Sequence, residues 1–125
     1  MSATRVLIVD DESEALLEMA EGLGDFDLNC LVASNASVAI TMLKQEKSIG
    51  AVITDFRMPR GNGVELLRAA RDQGLLDGKN IFLVSGYLDD AISAQLDDLQ
   101  LDVAMFPKPL DIEEIAGIVQ TALGS

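Results

Sequence analysis

The chain has 125 residues, about half of them apolar, and carries a formal net charge of −12 with no histidine and a single cysteine. That length suits one domain with its own hydrophobic core, and the missing histidine excludes a histidine general base, a histidine metal ligand and a phosphohistidine. So acidic a surface repels phosphate backbones, which argues against direct nucleic-acid binding, and no apolar run reaches the roughly 18–20 residues of a membrane span or the pattern of a secretory signal, so a cytoplasmic location is expected.

Arg5 to Val9 predicts a continuous apolar strand ending at Asp10-Asp11. From Ser13 to Leu23, the residues Ala15, Leu16, Met19, Ala20 and Leu23 recur at helical spacing, and Gly22 and Gly24 supply a stop. Leu28 to Ala33 is a second strand, in which Cys30 reads as a small buried apolar residue. Ser34 or Asn35 can cap a helix with Val38, Ala39, Met42 and Leu43 on its apolar side. Gly50 precedes a third strand, Ala51 to Thr54, which ends at Asp55. A loop with Pro59, Gly61 and Gly63 leads into a helix from Val64 to Asp72. Asn80 to Val84 is a fourth strand ending at Ser85-Gly86, followed by a less clearly patterned helix over about Asp89 to Leu99. Asp102 to Phe106 is a short fifth strand. Asp111 caps a last helix, with Glu114 as its capping-box partner and Ile115, Ile118, Val119 and Ala122 as the inner stripe.

Continuous apolar strands are what a sheet covered on both faces requires. Strict alternation of strand and helix with right-handed crossovers then gives an α/β domain with an open parallel sheet. Five strands in this alternation suggest the flavodoxin-like order 2-1-3-4-5, with five helices distributed over both faces. In such sheets ligands bind at the carboxyl ends of the strands. Those ends here carry Asp10-Asp11, Asp55, Ser85-Gly86 and Lys108. Carboxylates about 4 Å apart repel by on the order of a few kcal/mol per pair at a surface-like dielectric. A hard divalent cation removes that cost, and magnesium commonly combines one or two carboxylates with a phosphate oxygen. A carboxylate can also attack phosphorus to give an aspartyl phosphate, with the transition-state charge met by a cation, an ammonium and a hydroxyl.

At this point a family is legible. Asp10-Asp11 after an apolar strand, Asp55-Phe56-Arg57-Met58-Pro59 followed by Gly63, Val84-Ser85-Gly86, and Pro107-Lys108-Pro109 together resemble the receiver domain of bacterial two-component response regulators, of the chemotaxis-regulator type. The resemblance runs from about Arg5 to about Leu123. It implies that Asp55 is the phosphoacceptor, that Asp10, Asp11, Asp55 and the backbone carbonyl of Arg57 hold Mg2+, that Ser85 bonds a phosphoryl oxygen and that Lys108 pairs with the phosphate. It implies a cis bond between Lys108 and Pro109, which is frequent in the family, and open space beside Gly86. A histidine kinase or histidine phosphotransfer protein would be the donor. The face of the fourth helix, fifth strand and fifth helix would then act on a downstream protein or output domain. The chain would not be an enzyme with a separate substrate, although it would catalyse its own phosphorylation and slow dephosphorylation.

One position departs from the family pattern. The residue three before the lysine, commonly aromatic and part of the switch, is Met105 here, and Phe106 follows it on the opposite side of the strand. Phe106 is therefore expected to pack in the core, and Tyr87, two residues after Ser85, is the candidate to carry the signal. Two alternatives stay open on sequence grounds: a receiver-like interaction module that does not use phosphate, and a phosphatase of the haloacid-dehalogenase type, which would need its first two aspartates one residue apart rather than adjacent. The chain reads as a single receiver domain over residues 1–125 without an output domain, either a stand-alone protein or a receiver cut from a longer regulator or hybrid kinase, and dimerisation is open.

Overall fold

The structure, a computed structural model, describes residues 5–58, 61–86 and 90–124. Five parallel strands form the sheet: β1 (Arg5–Val9), β2 (Asn29–Ala33), β3 (Ile49–Asp55), β6 (Asn80–Ser85) and β7 (Val103–Pro107). Between β3 and β6 lie two short strands, β4 (Arg57–Met58) and β5 (Gly61–Asn62). They pair antiparallel with each other as a ribbon where the sequence predicts only a loop. The helices are α1 (Ser13–Gly24), α2 (Ala36–Gln45), α3 (Gly63–Asp72), α4 (Asp90–Leu99) and α5 (Ile112–Gly124). The sheet order is β2-β1-β3-β6-β7, which is the expected 2-1-3-4-5 when the sheet strands alone are counted.

Each central strand is apolar on both sides because both sides are covered. In β1, Leu7 and Val9 join a cluster with Ala39 and Leu43 of α2, Leu67 and Ala70 of α3, and Ile92 and Leu96 of α4. Val6 and Ile8 point the other way and meet Leu16 and Leu23 of α1 and Ile115 and Val119 of α5. This two-sided burial, at roughly 1.5–3 kcal/mol for each large apolar side chain, fixes strand register, since a slip of one residue would exchange the two faces.

Several local expectations are corrected. Gly22 does not stop α1: the helix continues to Gly24, and a Cβ at Gly22 would lie 2.8 Å from Ile112 Cγ2. The glycine is there because α5 packs close against it. Val38 and Ile118 are both 38% exposed. The inner side of α2 is carried by Ala39 and Leu43, and that of α5 by Ile115, Ala116 and Val119. Cys30 is half-buried in edge strand β2, its thiol donating to the Leu28 carbonyl at 3.7 Å, and burial pushes its pKa up to about 11.

Both expected caps form. Asn35 Oδ1 accepts from Val38 N at 2.9 Å and Asp111 Oδ1 accepts from Glu114 N at 3.2 Å. At the amino edge of the sheet, Lys79 Nζ donates to the Ile49 carbonyl at 2.7 Å and Asn80 Nδ2 to the Gly50 carbonyl at 3.4 Å. Arg5 pairs with Glu46 at 3.2 Å on the same edge.

Candidate functional site

The parallel arrangement brings the carboxyl ends of β1, β3, β6 and β7 to one edge of the sheet. Asp10 follows β1 directly, and its backbone N–H donates to the Ala33 carbonyl at 3.2 Å, so the β1–β2 pairing continues one residue beyond the strands. Its Oδ1 accepts from Glu12 N at 3.0 Å, which turns the chain into α1. Asp55 is the last residue of β3. Asp10 and Asp55 are each only 7% exposed, whereas Asp11 faces solvent. The three side chains each offer a carboxylate oxygen within 4.8 Å of the others.

Lys108 reaches into the same group, with Nζ 3.1 Å from Asp55 Oδ1. Its backbone N–H donates to the Ser85 carbonyl at 2.9 Å, which joins the ends of β6 and β7. Ser85 is 3% exposed. The Lys108–Pro109 peptide is cis. A Cβ at Gly86 would meet nothing within 4 Å, so the space beside Ser85 is open as expected.

Electrostatics sets the character of the site. Burial raises the Asp55 pKa above the ordinary carboxylate value, and the nearby Asp11 charge adds to the rise. The hydrogen bond and charge of Lys108 and the backbone N–H of Phe56 oppose it. Asp10 is raised for the same main reason, with Asp55 and Asp11 adding, and the Glu12 N–H and Lys108 opposing. Two buried acids and one exposed acid, with one lysine among them, leave an excess of negative charge. All the donors are oxygens, and the opening lies at the solvent-facing end. That donor set fits a hard divalent cation of the magnesium type better than a thiolate- or imidazole-seeking metal.

Two further residues support Asp55 through contacts that the sequence does not disclose. Thr54 is fully buried, and its Oγ1 donates to the Asp55 carbonyl at 3.1 Å. Gly63 was read as a turn glycine, but a Cβ there would lie 2.5 Å from that same Asp55 carbonyl oxygen and 2.8 Å from Leu83 Cδ1. Gly63 N donates to the Phe56 carbonyl at 2.7 Å, and Phe56 N to the Val84 carbonyl at 2.8 Å. The start of α3 is thus pressed onto the end of β3, and only glycine fits the contact. Nothing in local sequence reports a contact made through space.

Arg57, whose carbonyl the resemblance assigns to the metal, opens β4 two residues after Asp55. Met105 packs among the α2–α3–α4 cluster. Phe106 faces the opposite side, its ring centroid 5.9 Å from that of Phe82, as the shifted register requires. Pro59 and Tyr87 lie outside the described residues.

Comparison with known proteins agrees with this geometry. The family model described as the response regulator receiver domain matches residues 6–120. The transcriptional regulatory protein HptR of Staphylococcus aureus strain N315 is 36% identical over 127 aligned positions, covering 95% of this chain and 48% of that protein. The chain therefore spans about half the length of that relative. A response regulator receiver protein from Pseudomonas putida superposes with a TM-score of 0.85 at 26% identity, covering 97% of this chain and 98% of that one. Chemotaxis protein CheY4 of Vibrio cholerae gives a TM-score of 0.86 over 96% and 98% of the two chains; at 20% identity that likeness concerns the fold alone.

Proposed function

Since the chain belongs to the receiver domains of two-component response regulators, we propose that Asp55 is its phosphoacceptor and that Asp10, Asp11, Ser85 and Lys108 serve that chemistry. The observation that carries the reading is the Lys108 Nζ–Asp55 Oδ1 contact of 3.1 Å beside three carboxylates whose oxygens lie within 4.8 Å of one another. Asp10, Asp11, Asp55 and the Arg57 carbonyl would hold Mg2+, which would supply neutralising charge to these carboxylates and to the incoming phosphoryl oxygens.

An Asp55 carboxylate oxygen attacks phosphorus as the bond to the donor's histidine nitrogen breaks, and the electron pair leaves with that nitrogen. The donor is a histidine kinase or a histidine phosphotransfer protein. Lys108, which pairs with the free carboxylate, turns its charge to the phosphoryl oxygens. Ser85 donates its hydroxyl to another of them. Phosphorylation adds roughly −1.5 to −2 of charge. The Lys108 N–H to Ser85 carbonyl bond ties both responding residues to the ends of β6 and β7. The response therefore spreads to the α4–β7–α5 face, where a downstream protein or output domain docks. Coupling of this kind is typically worth about 1–3 kcal/mol. Hydrolysis of the acyl phosphate resets the domain, which acts as an acceptor and relay rather than as an enzyme with a separate substrate. This cycle belongs in the cytoplasm, where phosphohistidine donors present their phosphoryl groups.

The test is incubation with acetyl phosphate and Mg2+ followed by intact-mass measurement. A gain of one phosphoryl group, lost in Asp55→Asn, is expected. No gain, or a gain that survives the substitution, rejects Asp55 as the acceptor.

A further inference from the structure

The outward side of α5 carries features that the Asp55 site does not use. It forms a shallow groove of about 620 Å³ lined by Asp111, Glu113, Glu114, Gly117, Ile118 and Thr121. The acids stand at the start of the helix. Gly117 and Ile118 follow one turn later as an apolar floor. Ile118 is 38% exposed, and a Cβ on Gly117 would meet nothing within 4 Å. Acids in a first turn suit the helix dipole, and Asp111 is a cap, so the acids alone call for no ligand. Capping does not account for an open apolar floor set directly against them.

Charge decides what such a groove takes. The sequence has no lysine or arginine between Pro109 and Ser125, and none between Val6 and Leu43. Neither α5 nor the helix packed beside it, α1, therefore has a cation of its own. Seven acidic residues lie from Asp11 to Asp27 and three from Asp111 to Glu114, so most of the net charge of −12 sits on this one side of the sheet. The cations Lys44, Arg68 and Arg71 belong to α2 and α3 on the other side. A second copy of the chain would present the same anionic surface and be repelled. A cationic segment would be attracted over a distance and oriented before contact.

We propose that the α5 groove docks a cationic amphipathic helix of a partner protein, its lysines or arginines over Asp111, Glu113 and Glu114 and an apolar residue covering Ile118. Gly117, having no side chain, lets the partner's backbone come close in the manner of a helix laid in a groove. The inference rests on the α4–β7–α5 face being the signalling surface, and it names the chemistry of the partner found there.

The probes are three synthetic peptides of equal length, titrated into the isotope-labelled full chain with backbone amide shifts as the readout. One is a helix with lysine on one face and leucine on the other. The second has the same composition scrambled so that no face forms. The third has glutamate in place of lysine. The first peptide is expected to shift the amides of residues 111–121 selectively. Its affinity should fall on the order of tenfold in Ile118→Ala, from the lost apolar contact, and should weaken with added salt and in a Glu113→Lys/Glu114→Lys double variant. Both variants should retain wild-type labelling by acetyl phosphate, which shows that they fold.

Equal binding of the scrambled peptide, shifts spread evenly over the acids of α1, or no binding overturns the proposal. So does concentration-dependent self-association that moves the same amides. If the first peptide binds in the groove with the same affinity whether or not Mg2+ and the phosphoryl mimic beryllofluoride are present, the docking site stands and the coupling assigned to that face falls.

Discussion

Asp55 is held on several sides at once: its side chain by Lys108, its carbonyl by Thr54, and the approach to that carbonyl by Gly63. Lys108→Ala removes the group expected to read the phosphoryl charge but leaves the carboxylate and its acidic neighbours. Labelling by acetyl phosphate should therefore persist, while the shifts that beryllofluoride induces across α4, β7 and α5 should shrink; unchanged shifts would remove Lys108 from the relay. The raised pKa values of Asp10 and Asp55 make a second prediction. A carboxyl whose folded pKa lies above its unfolded value binds its proton more tightly in the folded state. It favours folding fully below the unfolded value of 3.8, and that contribution is lost as pH rises through the raised folded value. Wherever the two carboxyls are ionised and no cation is present, burial and the neighbouring carboxylates weigh against the folded state. Asp10→Asn keeps the oxygen that accepts from Glu12 N. It should melt a few degrees above wild type at pH 7 in chelator, and the gap should close below pH 3.8, the ordinary carboxylate value. A variant no more stable at pH 7 would show that the Lys108 charge outweighs the burial of Asp10.

Among the elements, two glycines separate backbone from side-chain constraint. At Gly63 the atom facing a new Cβ is a backbone oxygen 2.5 Å away, so Gly63→Ala must displace either the end of β3 or the start of α3. A loss of about 1–3 kcal/mol and slower acetyl phosphate labelling are expected, read by thermal melting and by mass. At Gly22 the facing atom is Ile112 Cγ2 at 2.8 Å, the end of a side chain that can rotate. Replacing glycine inside a helix gains up to about 1 kcal/mol. Gly22→Ala should thus come out near neutral, and a loss as large as that at Gly63 would mean that Ile112 cannot yield.

The same distinction explains what the sequence could disclose. The five sheet strands were legible because two-sided burial leaves unbroken apolar runs, and Asp10, Asp11, Asp55, Ser85 and Lys108 because they stand where those runs end. Val38 and Ile118 were misplaced because helical spacing leaves boundary positions undecided until the helix is laid against its sheet. The β4–β5 ribbon was missed because two-residue strands leave no periodicity. Gly22 and Gly63 were read as punctuation, although each marks a close approach between segments.

For the molecule as a whole, a cation that binds only the folded chain stabilises it by mass action, by about 2.7 kcal/mol at one hundred times its dissociation constant. Mg2+ should therefore raise the melting temperature of the wild type and leave Asp55→Asn with a much smaller rise; equal rises would place the cation elsewhere. The polar ties at the amino edge of the sheet bear on where the molecule opens first. Lys79, Asn80 and Arg5 fasten the starts of β1, β3 and β6 to their surroundings, while the opposite edge gathers carboxylates that repel one another, a repulsion a bound cation would relieve. Amide exchange should accordingly be slowest near Ile49–Val52 and quicken toward Asp55 and Ser85, with Mg2+ protecting mainly the fast end. In mechanical terms the sheet is a cantilever clamped at its root, and the phosphoryl chemistry is placed at the tip, where a small force gives the largest deflection.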